Sequence, residues 1–420
     1  MVNNRLESIK NKYDTLVVVL VLFMSCGFVV LNDYISNSLT IILWVITIIM
    51  IILGKNMFFS QKAFFALATI LVTLLISDIV NGENLRTTMC NWVAIFASFL
   101  YFSTRSFQRF KNSFINALRF LCIVSLIGYV LFFIFPQLRN IAIIGSRNFN
   151  CFFIYVHNAN PNLSDYSRNF GMFWEPGAFQ TFINLALLLE VTKKKPSIFN
   201  MLLFIITTIT TFSTTGYIAT SLILLLPFVN GVKKDNMAVR RIIILVVLVF
   251  ITFIAFNFDM FFSETQYTVF GKIFGLLNGS ELNSNSVTSS TIRYYSIVKP
   301  LEAFIHKPIL GYGYEGLIRE TYQYTYSMNT CTFVNWFAVH GLLYGVIMLY
   351  GVYLFSKLLS KNNTSLLLII IIVFVMTCAE NYIDNASIMI LVFYGVGTNS
   401  FAYKHNAELM RYMKNEIIRN

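Results

Sequence analysis

Charge is scarce in this chain. Asp, Glu, Lys and Arg make up 12% of its 420 residues, about half the share usual in soluble domains. That scarcity excludes an ordinary soluble domain. With 57% hydrophobic residues and 42 phenylalanines, the chain reads as an integral membrane protein with several spans. Metal-site patterns are missing as well. No Asp-x-Asp pair, His-Glu-x-x-His run or cysteine–histidine cluster occurs, so a metal-dependent sugar-nucleotide transferase is not indicated. The six cysteines lack metal-like spacing. Cys26, Cys90, Cys122 and Cys378 lie in or beside apolar runs and pack as small hydrophobes. Cys151 and Cys331 fall in two long loops, where an oxidising compartment would permit a bridge. His157, His306 and His340 are isolated in the sequence and read as structural. Gly311–Gly316 lacks the Lys and Ser/Thr of a phosphate-cradling loop and reads as a turn leading back to the membrane.

Apolar runs suited to a bilayer core recur along the chain. Twelve are expected, near 15–32, 39–53, 63–80, 88–104, 116–136, 176–192, 197–212, 215–231, 242–260, 333–355, 365–379 and 386–403. Residues 1–14 are polar, and the run from Thr15 to Leu31 reads as a first span rather than a cleaved leader. The Ser213-Thr214-Thr215-Gly216 turn makes 197–231 a helical hairpin. The fold class is therefore an all-α polytopic membrane protein. Its divisions are 1–136 (five spans), a loop at 137–175, spans at 176–260, a second loop at 261–332, and spans with a tail at 333–420.

The net charge of +12 has a topological origin. If the spans alternate, one side holds only nine cations: Arg86, Arg139, Arg147, Arg168, Lys272, Arg293, Lys299, Lys307 and Arg319. The rest of the 31 gather on the side of the N-terminus. The positive-inside rule then puts both termini in the cytoplasm, and the basic excess faces anionic lipid rather than nucleic acid. The tail from Lys404 either lies on the membrane surface through Leu409, Met413 and Ile417 or is solvated. Both long loops fall on the outer side, so the chemistry is expected there. No span carries a central charge; Asp78, Asp259 and Glu190 sit near span ends. A transporter would place ionisable groups near mid-membrane.

The first loop ends in Arg168-Asn169-Phe170-Gly171-Met172-Phe173-Trp174-Glu175-Pro176-Gly177. Proline favours the first helical position, so a helix starts at Pro176 with Glu175 at its N-cap. Glu175 either answers the helix dipole or takes a proton from an attacking hydroxyl. The second loop carries Arg293, Tyr294, Tyr295, His306, the glycine-rich turn, Arg319 and Tyr322, Tyr324 and Tyr326. Arginine among aromatics suits a ligand with phosphate and sugar parts. Such rings also belong to membrane interfaces.

Arg168…Gly171…Glu175-Pro176-Gly177, the Ser213–Gly216 hairpin, Arg293, Pro308-Ile309-Leu310-Gly311-Tyr312-Gly313 and Gly341-Leu342-Leu343 together resemble the O-antigen polymerase (Wzy) family, within the O-antigen ligase and polymerase group. The resemblance covers residues 140–355. It implies a GT-C-like, metal-independent glycosyltransferase without a cofactor, in the bacterial cytoplasmic membrane with its site facing the exterior. Its partners would be undecaprenyl-diphosphate-linked glycans, membrane lipid and a chain-length regulator. Arg168 and Arg293 would hold diphosphate, helped by Arg147 and Arg319. Glu175 would be the base, with Tyr294 and Trp174 contacting substrate. The group's arginine–glycine spacing is absent, since Phe179 and Phe304 stand eleven residues after Arg168 and Arg293. The ligase histidine before Gly341-Leu342-Leu343 is replaced by Met328-Asn329-Thr330-Cys331, which favours polymerase. A ligase-type transferase and a polysaccharide-unit flippase are the alternatives.

Overall fold

A computed structural model describes residues 2–25, 37–53, 57–140, 144–146, 149–158, 167–230, 289–326, 329–378 and 380–397. The expected span at 242–260, Arg147, Lys272 and the basic tail lie outside the described residues. The described part is mostly helical. Its α-helices are α1 (Val2–Ser25), α2 (Asn37–Ile52), α3 (Gln61–Asn81), α4 (Leu85–Thr104), α5 (Phe107–Ile134), α6 (Pro176–Val191), α7 (Ile198–Thr210), α8 (Thr214–Val229), α9 (Ser289–His306), α10 (Tyr314–Thr325), α11 (Thr332–Leu359), α12 (Asn363–Thr377) and α13 (Ala386–Gly397). Three segments, α3, α5 and Leu342–Leu359 of α11, are long and apolar enough to cross a membrane, and several shorter apolar helices accompany them.

Hydroxyl and amide caps divide these apolar stretches. Ser60, Ser106, Ser197 and Ser213 each accept a backbone N–H at the start of α3, α5, α7 and α8. Asn362 and Ser365 form a reciprocal capping box on α12. Such caps satisfy N–H groups that a helix start leaves open. The hairpin expected at 197–231 forms over α7 and α8, with Ser213 as its second cap.

Helix α6 is the axis of the bundle. Every residue from Pro176 to Glu190 is buried, between α5, α7, α8 and α12. Its polar groups are used internally. Asn184 Nδ2 donates to Gln180 Oε1 (3.0 Å) and to the Gly216 carbonyl (3.2 Å), and Thr220 Oγ1 donates to Asn184 Oδ1 (2.7 Å). Thr181 Oγ1 donates to the Met376 carbonyl on α12 (3.0 Å). Interhelical hydrogen bonds of this kind lock helix rotation where apolar packing alone is permissive.

The two ends of the bundle differ in charge. At one end Asp14 pairs with Arg105 (3.1 Å) and Arg109, and Glu190 pairs with Lys193 (2.9 Å). Glu175, at the opposite end of α6, faces the two long loops.

Those loops depart from the all-α expectation. The first contains a three-stranded antiparallel sheet of β1 (Ile144–Ser146), β2 (Phe149–Phe152) and β3 (Tyr155–Asn158). Its residues 149–158 are aromatic and β-branched enough to favour a pleated surface over a helix, and Phe153 turns the chain with φ 54°. The second loop holds α9 and α10. Helix α11 is broken at Gly341 (φ 83°, ψ −175°) rather than continuous. The freed carbonyls of Ala338 and Val339 accept from the Tyr312 and Gly313 N–H groups (2.8 and 3.0 Å), and Leu342 N–H donates to the Pro308 carbonyl (2.8 Å). The glycine-rich segment is therefore a backbone splint for the break. A Cβ at Gly341 would lie 2.0 Å from the Ile309 carbonyl oxygen.

Candidate active site

Helix α6 begins at Pro176, and Glu175 occupies its N-cap with φ −152° and ψ 145°. The Glu175 side chain makes no capping hydrogen bond. It is instead hydrogen-bonded to a second carboxyl group, Glu380, in the short connection between α12 and α13. Glu380 is 6% exposed. Its Oε2 accepts from Trp174 Nε1 (3.4 Å), and its Oε1 lies 2.7 Å from where a Cβ on Gly177 would stand. Glycine at 177 is what lets the second carboxyl rest on the first turn of α6. Burial, then the neighbouring Glu175, raises the Glu380 pKa well above the carboxylate range, against the pull of Arg293. Two adjacent carboxyl groups do not both ionise cheaply, and the buried Glu380 is the one whose proton is held.

The two arginines read from the sequence meet one turn of chain. Arg168 Nε donates to the Thr211 carbonyl (2.9 Å), and Arg293 Nη1 donates to Thr215 Oγ1 (2.7 Å). Thr211 and Thr215 flank the α7–α8 turn. Arg168 is positioned by Asn169, whose N–H donates to the Thr210 carbonyl (3.0 Å) and whose Nδ2 reaches Thr210 Oγ1 (2.9 Å). Arg293 comes from α9, in the other long loop, and is close enough to stabilise ionised Glu380.

Trp174 touches the carboxyl pair. Tyr294 follows Arg293 in the chain, is 42% exposed and packs edge-on against Tyr295. Arg319 is exposed on α10, on the face opposite Leu317, Thr321 and Thr325; among the described residues it makes no contact with the carboxyl pair. Arg147 lies outside the described residues. Among the described residues no group of three or more His, Cys, Asp or Glu could hold a metal ion.

Three residues escape a reading confined to the long loops. Glu380 sits in a short connection, and its only signal is an acid between two apolar runs. Thr215 looks like one more hairpin residue. His340, isolated in sequence, has Nε2 3.6 Å from Asp384 Oδ1. Asp384 in turn accepts from Tyr344 (2.8 Å) and from Asn91 (2.7 Å). The possible Cys151–Cys331 bridge is corrected by the structure. Both thiols are free, with Cys151 Sγ donating to the Phe153 carbonyl and Cys331 Sγ 2.9 Å from Cys378 Sγ.

Residues 199–356 match the family described as O-antigen ligase. That match supports the O-antigen ligase/polymerase group. Members of this group are glycosyltransferase-like enzymes, and the apolar helices agree with a membrane protein. The matched residues run from α7 into α11 and include Thr211, Thr215 and Arg293. Arg168, Glu175 and Glu380 lie outside them. No curated protein matches the chain.

Proposed function

We propose that this chain polymerises undecaprenyl-diphosphate-linked oligosaccharide units into O-antigen or capsular polysaccharide at the outer face of the cytoplasmic membrane. The observation that carries this reading is the hydrogen-bonded Glu175–Glu380 pair beside Arg293, with Arg168 on the same α7–α8 turn. A lipid diphosphate is already a good leaving group, so the transfer needs charge neutralisation and a proton acceptor. The acceptor sugar's hydroxyl oxygen attacks the anomeric carbon of the donor glycan. The bond from that carbon to the diphosphate oxygen breaks, and the diphosphate leaves with both bonding electrons. Arg168 and Arg293 neutralise its charge, a preorganised role for fixed guanidinium groups. Glu175 takes the hydroxyl proton. Glu380 keeps the Glu175 carboxylate within hydrogen-bond reach. Trp174 and Tyr294 offer flat faces to sugar rings.

The test is conversion of a purified lipid-linked repeat unit into polymer by the protein in detergent or vesicles. Polymer by the native protein, and none by E175Q at equal protein level, is the expected result. Native-length polymer from E175Q removes Glu175 from the reaction.

A ligase reading is favoured by the description of the matching family. Gene deletion separates the two. Loss of a polymerase leaves single repeat units on the final carrier, whereas loss of a ligase leaves polymer on its lipid. Units trapped at the inner face would instead mark a flippase.

A further inference from the structure

We infer that Cys331 and Cys378 form a disulfide that ties the segment carrying Glu380 to the start of α11. The two thiols come from helix ends that are 47 residues apart in the chain, with their sulfurs 2.9 Å apart. Cys331 is the N-cap of α11 and Cys378 the C-cap of α12. The reduced chain already holds these ends together. Thr332 Oγ1 donates to the Glu380 carbonyl (2.7 Å) and accepts from Tyr382 N–H (2.9 Å). Both hydrogen bonds fall within two to four residues of Cys378 and already hold the α12–α13 connection against the start of α11. No other pair of facing thiols occurs among the described residues.

The chemistry is asymmetric. Cys378 is half-buried and Cys331 is 1% exposed, so an incoming disulfide meets Cys378 first. Cys331 is the stronger nucleophile. The Cys378 thiol, and the Val334 and Phe333 N–H groups at the helix start, lower its pKa against the cost of burial. In the first step the Cys378 sulfur attacks a small or protein disulfide, forming a mixed disulfide and expelling one thiol. In the second the Cys331 thiolate attacks the Cys378 sulfur and expels the other thiol. The two cysteines lose two electrons and two protons, and the attacked disulfide is reduced to two thiols. An exterior-facing site, as proposed above, supplies that oxidant class; the proximity of the sulfurs does not depend on it.

The linkage would fix Glu380 two residues from a covalent anchor, so that its carboxyl stays against Glu175. The experiment treats the purified full chain in detergent with oxidised dithiothreitol, blocks remaining thiols with iodoacetamide and digests it. A peptide containing Cys331 joined to one containing Cys378 is expected, lost on reduction and absent from C331S and C378S. Both cysteines carrying the alkyl label after oxidation, or Cys331 joined to Cys151, overturns the proposal. Oxidised native protein should also melt several degrees above its reduced form, with no such shift in C378S; equal melting of the two native forms removes the tether. If the joined peptide appears and neither redox state polymerises lipid-linked units, the polymerase reading falls while the bridge stands.

Discussion

At the position of Glu175 the helix start and the second carboxyl compete for the same side chain, and the carboxyl has it. A helix N-cap normally uses its oxygen to accept N–H groups; here that oxygen is hydrogen-bonded to Glu380. Removing the basicity of Glu175 while keeping its shape should therefore act on chemistry more than on folding. E175Q is expected to lower turnover by roughly 10²- to 10⁴-fold, the usual range for a lost general base, with protein level and melting temperature near native. Glu380 makes a different prediction. Its pKa is raised above the ordinary value of 4.5, chiefly by burial. The folded chain then keeps a proton that the unfolded chain releases above that value. Its contribution to stability is full below the ordinary pKa and is lost as pH rises through the raised one. Melting temperature should fall with rising pH over that window in the native protein, and E380Q should flatten the dependence. An unchanged slope in E380Q would mean another group sets it.

Among the elements, α11 and its splint are the least tolerant. Gly341 has φ 83° and ψ −175°, a region essentially reserved for glycine, where another residue costs roughly 1–3 kcal/mol. G341A adds a collision with the Ile309 carbonyl and should reduce folded yield sharply. G316A is the matched control, since its Cβ would meet only Tyr312 at an ordinary 3.5 Å and alanine favours the helix; it should melt at or above the native temperature. These elements also show what the sequence discloses. The start at Pro176 and the hairpin turn at Ser213–Gly216 are legible because each is decided within a few residues. The break at Gly341 is not legible, because it depends on the Ala338 and Val339 carbonyls accepting N–H groups from Tyr312 and Gly313, 26 residues upstream. The Glu380 site is hidden for the same reason: its partner is set by how α6 and α12 pack, while the chain around it offers only a short polar connection. The sheet of residues 144–146, 149–152 and 155–158 is not legible, because the weight of apolar helical runs masks so short a β segment.

For the whole molecule, the decisive property is that two remote loops converge on one helical turn. Arg168 arrives from the first loop and Arg293 from the second, and they hold Thr211 and Thr215 at the two sides of the α7–α8 turn. Neither loop can place its guanidinium without the hairpin. A lesion in the turn should therefore reproduce a lesion in an arginine. T215V removes the hydroxyl that Arg293 grips while preserving side-chain volume. It is expected to weaken binding of an undecaprenyl-diphosphate-linked glycan in the same direction as R293A, and by less, because the charge remains. In the double variant the two losses should not add, since both act through one contact. R168A should weaken binding whether or not Thr215 is altered, because its partner is the Thr211 backbone. Titration of lipid-linked repeat unit against the native protein, the single variants, T215V/R293A and R168A/T215V, read by intrinsic tryptophan fluorescence from Trp174 among the four tryptophans with W174F as the reference, measures these couplings. Full additivity of T215V with R293A would mean that the turn and the arginine serve separate sites, and the convergence of the two loops would then have no role in holding the diphosphate.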